Sequence, residues 1–471
     1  MASYCSTSDE SDTSDTDRLA FPLLTRKQVS TDTWKDQLDF DRPCTGPEQR
    51  CWLCTQLTPW NRVMHGLAFE LVELRPGKLR LRSNPQDDED LERSGETVAA
   101  EASFLVSWLL QHHRCIDELD VAYGTHPGSG KKEEPFLIRL PRSTGSGPGR
   151  TIRGLKIEES ASACWNTITF TYHDCYKLED LGDLSGLETL KLDFNKIKPE
   201  LAAEFAKLLR RNASSIKRFE ISKATIPRQV NKALRYLFSC ESLTISSYHD
   251  CLHRSPSMTS VARLLHSSTA LKELSVAPIA SRRQMDAIAK ELETNTSLTK
   301  LGVYIGEQRC CPEPVFTALQ RNTTLKELEV TDCRIMGVCG LALPLLLKKN
   351  TGLRLLYIGG VDMSELCLAC LAVTLKVNTT LETLHISSEI LPMNGVAALF
   401  NALRVNKTLK KLVLPDFQCS REHRHRLVQT TGSSRKTRQP GLSIELGLWG
   451  LEGVPSMNGT LPGSSTTKCH E

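Results

Sequence analysis

The sequence predicts an α/β solenoid in which a curved parallel sheet lines the inside and helices cover the outside. Three observations carry that prediction. The first is a phrase, Asn322-Thr323-Thr324-Leu325-Lys326-Glu327-Leu328-Glu329-Val330, in which a polar turn opens onto apolar residues spaced L-x-x-L-x-V; it returns at residues 295–303, 350–358, 378–386 and 406–414. The second is its period, since the first apolar anchors Leu271, Leu298, Leu325, Leu353, Leu381 and Leu409 stand 27, 27, 28, 28 and 28 residues apart. The third lies between the phrases, where Leu201, Phe205, Leu208, Leu209 and again Met258, Val261, Leu264, Leu265 recur at helical spacing. Strand, loop and helix therefore make one unit. Alternate side chains of a strand face opposite sides, so the second and third anchors point into the core. One unit cannot bury its own apolar face, and stacking on its neighbours is what closes that core.

A period of this length carrying L-x-x-L-x-L is the signature of leucine-rich repeats. With a full helix in each 28-residue unit, the chain resembles the ribonuclease-inhibitor type, also found in NOD-like receptors and Ran GTPase-activating proteins. The resemblance spans roughly residues 116–428 and implies a horseshoe; it implies little about activity. It also implies that Asn195 and Cys333, which complete the longer family pattern, hydrogen-bond backbone between neighbouring turns. Elsewhere that position drifts to Gly306, Val361 and Glu389.

In chain order, residues 1–33 open on a Ser-, Thr- and Asp-rich run with almost nothing to bury, an acidic tail expected to be disordered. Its Ser and Thr residues flanked by acids have the form of acidophilic-kinase sites, but a solvated tail without a role is the favoured reading. Residues 34–97 read as an N-terminal cap, which a solenoid end requires. Within it, Leu67 to Leu74 and Leu79 to Arg82 flank a Pro76-Gly77 turn and predict a hairpin. Residues 98–428 form the array. It starts with a helical stripe at Val98, Ala102, Leu105 and Leu109, followed by strands at 116–121 and 152–157, and it becomes regular from about Leu187. Further strands starting near residues 187, 216, 240, 271, 298, 325, 353, 381 and 409 bring the count to eleven. Residues 429–471 are expected to hold one last strand at 442–446 and a disordered tail.

Composition restricts partners weakly. A formal charge of +4 with 24% charged residues calls for neither nucleic acid nor a membrane surface. Seventeen cysteines scattered over 471 residues lack the density of a disulfide framework, so reduced thiols are expected. The polar, acidic beginning has no leader-like h-region, and no apolar run reaches membrane-spanning length. These readings place the protein in the cytoplasm, with the nucleus as the alternative. Asn-x-Ser/Thr occurs at Asn212, Asn295, Asn322, Asn378, Asn406 and Asn458. Five of these fall just after a helix, where Asn suits a left-handed helix end better than it suggests glycosylation.

Candidate chemistry is thin. Gly128-Ser129-Gly130-Lys131-Lys132 lacks the upstream Gly, the Ser/Thr and the helix of a phosphate-binding loop. Cys44, Cys51, Cys54 and His65 offer four potential zinc ligands in 22 residues, but a second C-x-x-C pair is missing and packed or free thiols are the favoured reading. The C-x-x-C at Cys367 and Cys370 sits inside a repeat helix. Arg421 to Arg426, with Arg435, Lys436 and Arg438, makes a basic edge that reads as a solvated helix face. No catalytic constellation converges. The chain is therefore expected to be a non-enzymatic scaffold, monomeric on its own and without cofactor or metal, that binds a protein partner on its concave face. The site is assigned to Tyr304, Leu355, Tyr357, His385 and Val413, where the outward positions turn apolar and aromatic. The alternatives are a GTPase-activating protein of the Ran type and a substrate-recognition subunit of a ubiquitin ligase whose residues 34–66 bind an adaptor.

Overall fold

A computed structural model describes residues 31–45, 50–83, 95–123, 136–140, 152–159, 176–179, 181–194, 197, 199–222, 226–246, 258–279, 281–305, 311–335, 338–360, 362–388, 391–415 and 443–446. Residues 1–30 of the acidic tail, the Gly128–Lys132 run, the Arg421 to Arg438 cluster, Asn195, Gly306, Val361, Glu389 and Asn458 lie outside these, while the last three tail residues, 31–33, are ordered in a 3-10 turn.

Short 3-10 turns at Thr31–Trp34 and Trp52–Thr55 precede α1 (Leu57–His65), β1 (Phe69–Arg75), β2 (Lys78–Ser83) and α2 (Gly95–His112). Next come β3 (Ile116–Tyr123), β4 (Phe136–Arg139), β5 (Gly154–Glu159), β6 (Tyr176–Glu179) and β7 (Thr189–Asp193). Strand and helix then alternate as α3 (Pro199–Arg211), β8 (Arg218–Ser222), α4 (Arg228–Leu234), β9 (Ser242–Ser246), α5 (Thr259–Ser267) and β10 (Glu273–Ala277). The pattern continues with α6 (Arg282–Leu292), β11 (Lys300–Tyr304), α7 (Glu313–Leu319), β12 (Glu327–Thr331), β13 (Arg334–Ile335) and α8 (Val338–Lys349). It ends with β14 (Leu355–Gly359), β15 (Asp362–Met363), α9 (Glu365–Leu375), β16 (Thr383–Ser387), α10 (Met393–Leu403), β17 (Lys411–Leu414) and β18 (Ser443–Leu446).

Fourteen of these strands form one open sheet in the order β1-β2-β3-β5-β7-β8-β9-β10-β11-β12-β14-β16-β17-β18. The predicted hairpin is there: β1 and β2 pair antiparallel, with Gly77 at φ 81° supplying the left-handed turn residue. From β2 onward every neighbour pairs parallel. This is the architecture of an α/β repeat solenoid. The eleven strands expected from the repeat are β3, β5, β7 to β12, β14, β16 and β17, and β18 extends the edge beside β17. Two short parallel pairs, β4 with β6 and β13 with β15, stand apart from the main sheet.

Register explains why one core runs through the molecule. Leu301, Leu328, Leu356, Leu384 and Leu412 pair in one row and Val303, Val330, Ile358 and Ile386 in another, all almost fully buried. Helix residues such as Phe205, Leu264, Ile288, Phe316, Leu346, Leu371 and Leu399 close over them. Burying each Leu, Ile or Phe contributes about 1.5–3 kcal/mol. In the cap, Trp34, Trp52, Trp60 and Phe69 continue the same core past the first unit.

The repeated asparagines differ from expectation. None adopts a left-handed conformation; among the described residues the non-glycine positions with positive φ are Ala68 and Asp332. Instead each amide is buried and bridges to the preceding unit. Asn350 Nδ2 donates to Leu319 O (2.7 Å) and Asn322 O (2.6 Å), while its Oδ1 accepts from the N–H of Gly352 (2.8 Å) and Leu353 (2.7 Å). Asn295, Asn322, Asn378 and Asn406 reach Leu265, Leu292, Leu347 and Leu375 in the same way. Each amide thereby satisfies a carbonyl that a helix end leaves without an intrahelical partner. One unit earlier Ser268 substitutes, its hydroxyl donating to Phe238 O at 3.0 Å. Amides engaged in this way are not glycan acceptors in the folded chain. Gly352 is required by the same packing, because a Cβ there would meet Thr323 O at 2.3 Å.

The expectation of reduced thiols is also corrected, since a disulfide joins Cys311 to Cys339 across a Cα separation of 6.3 Å. The two residues are one repeat period apart, 28 positions, so stacking brings them side by side. No helix among the described residues is long and apolar enough to cross a membrane.

Candidate functional site: an open sheet face and a buried thiol cluster

Residues alternating with the buried anchors form parallel rows on the other side of the sheet. One row runs Lys300, Glu327, Leu355, Thr383, Lys411; the next runs Gly302, Glu329, Tyr357, His385, Val413. A third runs Tyr304, Thr331, Gly359 and Ser387. Of the five predicted site residues, Tyr357, His385 and Val413 therefore stand side by side, and Leu355 lies in the adjoining row on the strand of Tyr357. Tyr304 is separated from them by β12. Tyr357 meets His385 edge to face, with ring centroids 4.5 Å apart. Its ring also lies over Gly359, where a Cβ would come within 2.5 Å of it. Glycine at that point is what lets the aromatic ring lie down on the sheet.

Charge borders this apolar stretch, since Glu329 of β12 precedes Tyr357 in the row. Burial raises the Glu329 carboxyl above its ordinary range, with the Lys300 ammonium opposing it. Burial likewise raises the Tyr357 phenol, Glu329 adding to the shift and a hydrogen bond with Ser387 opposing it. The final strand does not cover the row in its described part; it pairs in-plane at the edge of β17. An open depression lined by Arg210, Ala213, Ser214, Tyr236, Phe238 and Ser239 has no histidine, cysteine or carboxylate in its lining.

A second constellation sits in the cap. The sulfurs of Cys44, Cys51 and Cys115 and a ring nitrogen of His113 all lie within 4.8 Å of one another. His113 Nδ1 is 3.7 Å from Cys51 Sγ and 3.9 Å from Cys115 Sγ. Cys51, His113 and Cys115 are buried and Cys44 is half-buried. Cys51 stands in extended conformation just before the turn Trp52–Thr55, and His113 and Cys115 occupy the link between α2 and β3. The imidazole is walled by indoles, with centroids 5.4 Å from Trp52, 5.5 Å from Trp108 and 6.4 Å from Trp60. Cys51 is held below the ordinary thiol range, chiefly by its contact with Cys115, while contacts with Cys44 and Cys51 push Cys115 far above it. Burial works to lower His113, and the contacts with Cys44 and Cys51 outweigh it.

This grouping corrects the one suggested by spacing. Cys54 and His65 are not among the four: burial pushes the Cys54 thiol up to about 11, and His65 Nε2 faces Glu70 Oε2 at 3.5 Å. Their replacements, His113 and Cys115, lie 62 and 64 positions after Cys51, beyond any local motif. In α9 burial pushes Cys367 up to about 11, the behaviour of a packed thiol.

No protein-family model matches the chain, and none of the curated proteins does. Among solved structures, the crystal structure of a Bacteroides fragilis protein is similar over 55% of this chain and 74% of its own. At 13% identity and a TM-score of 0.38, that likeness carries no argument about fold or function.

Proposed function

We propose that this chain is a non-catalytic protein-interaction scaffold, a leucine-rich-repeat horseshoe of the ribonuclease-inhibitor type, which grips a protein partner on the concave face of its sheet. The observation that carries the reading is the row Tyr357, His385, Val413: three adjacent strands present aromatic and apolar side chains where β12 beside them presents the Glu329 carboxylate. Contiguous apolar patches on an open surface mark interaction sites, and tyrosine is enriched among residues that dominate binding energy. Leu355 widens the patch, and Tyr304 stands at its margin. The L-x-x-L-x-V period supports the family assignment, and a long open sheet face suits a macromolecule better than a small ligand. No feature among the described residues favours the GTPase-activating or ubiquitin-ligase reading.

The test begins with the full chain as bait to identify a partner, followed by titration with that partner purified. Tyr357→Ala is expected to weaken binding by at least about 1–2 kcal/mol while the melting temperature stays nearly unchanged. Unaltered affinity would remove the site from this part of the sheet.

A further inference from the structure

We propose that Cys44, Cys51, His113 and Cys115 bind one zinc ion, and that this ion staples the N-terminal cap to the first repeat unit. Three thiolates and an imidazole are a donor set of structural zinc, whose sites are closed and tetrahedral. Around one zinc, bonds of about 2.3 Å to sulfur and about 2.0–2.1 Å to nitrogen place neighbouring sulfurs about 3.8 Å apart and sulfur about 3.5 Å from nitrogen. The observed sulfur to Nδ1 distances of 3.7 and 3.9 Å, and the mutual limit of 4.8 Å for all four donors, match that tetrahedron to within a few tenths of an ångström for nitrogen. No disulfide competes for these sulfurs, since the bridge among the described residues joins Cys311 to Cys339.

The surroundings hold the donors in place. Trp52 Nε1 donates to Arg42 O (3.1 Å) and Pro43 O (3.0 Å), fixing the chain immediately before Cys44 against the turn that follows Cys51. On the other side, Leu79 N donates to Cys115 O at 2.8 Å, tying the second ligand pair to the hairpin. The three indoles pack around the imidazole and restrict its orientation. Such supporting contacts are part of what makes a metal site. Three of the four donors are buried, with Cys51 0%, Cys115 1% and His113 3% exposed and Cys44 half-buried, and four protein donors leave no open position of the kind a catalytic ion keeps. On binding, Zn²⁺ displaces the three thiol protons, and His113 coordinates as a neutral imidazole through Nδ1, leaving a centre of net charge −1.

Topology gives the ion its purpose. Cys44 and Cys51 belong to the cap, while His113 and Cys115 belong to the helix-to-strand junction that opens the array. The end of a solenoid exposes core, and the cap must be held on. A four-coordinate ion shared between the two parts does this without a large additional core.

The experiment uses the full chain, expressed with zinc in the medium and purified without chelator. Elemental analysis is expected to find one zinc per chain. Cys54→Ser is expected to retain it, and Cys51→Ser and Cys115→Ser to lose it. Because either of the latter can fail to fold, cobalt exchanged into the unaltered chain provides a second readout, expected to show a thiolate charge-transfer band and intense tetrahedral d–d bands. Zinc well below one equivalent in the unaltered chain overturns the proposal. So does a cobalt spectrum without thiolate character, a Cys54→Ser variant as depleted as Cys115→Ser, or mass-spectrometric detection of a disulfide between any two of the three thiols.

Discussion

Leu328 and Lys326 are two positions apart in one strand phrase, yet one is fully buried and the other exposed. Leu328→Ala leaves a cavity between β11 and β14 that their rigid pairing cannot close, and is expected to cost about 2–5 kcal/mol in denaturant melts. Lys326→Ala, in the exposed turn just before β12, is expected to cost under about 0.5 kcal/mol, and equal losses would show that Leu328 is not a core anchor. Glu329 gives a test with a pH signature. Burial raises its carboxyl above the ordinary value of 4.5, so the folded chain holds that proton more tightly than the unfolded one. The resulting penalty is absent below the ordinary value, builds as pH rises from there to the folded one, and is full above it. Glu329→Gln is therefore expected to raise the melting temperature near neutral pH and to leave it unchanged in acid below the carboxylate range; a gain at both would separate the effect from titration. Tyr357, His385 and Val413 were legible because the phase of L-x-x-L-x-V dictates which side chains face outward. His113 and Cys115 were not, because the residues that join them to Cys44 and Cys51 are brought there by a helix and a hairpin whose packing no spacing encodes.

Between one unit and the next, the asparagine bridge does what the leucine core cannot, since apolar contact is indifferent to sliding while a hydrogen bond is not. Asn350→Ala would strip partners from the buried carbonyls of Leu319 and Asn322 and from the N–H groups of Gly352 and Leu353. Each buried group left unsatisfied costs about 1–3 kcal/mol, so the substitution is expected to destabilise the array by at least that much. Thermal and denaturant melts measure it, and a loss as small as that of Lys326→Ala would show the bridge to be dispensable. Sequence reading found where these asparagines recur but not what they do, because a left-handed helix end and a buried bridge favour the same residue. The strands were easier, since a period-two alternation inside a fixed repeat leaves few choices. The pairs β4 with β6 and β13 with β15 escaped it, having four and two residues per strand and no place in the repeat phrase.

At the scale of the whole molecule, the sheet begins with an antiparallel hairpin and ends with β18, and between them each strand meets the one contributed by the unit before it. The order of the units, the hairpin cap and the final strand could all be read along the chain, since local phrases stacked in sequence order require no long-range guess. The Cys311 to Cys339 disulfide could not, because cysteines at matching phases become neighbours only once the units are in register. The asparagine bridges add a rule about how such a chain can change. Each runs backward to the helix end of the preceding unit, about 30 positions upstream, as in Asn295 to Leu265, Asn322 to Leu292 and Asn406 to Leu375. A whole unit gained or lost by gene duplication or deletion leaves every surviving bridge with an equivalent partner, whereas a few residues added between helix end and strand break two at once. The array is thus free to vary in length by whole units and is closed to small insertions at its turns.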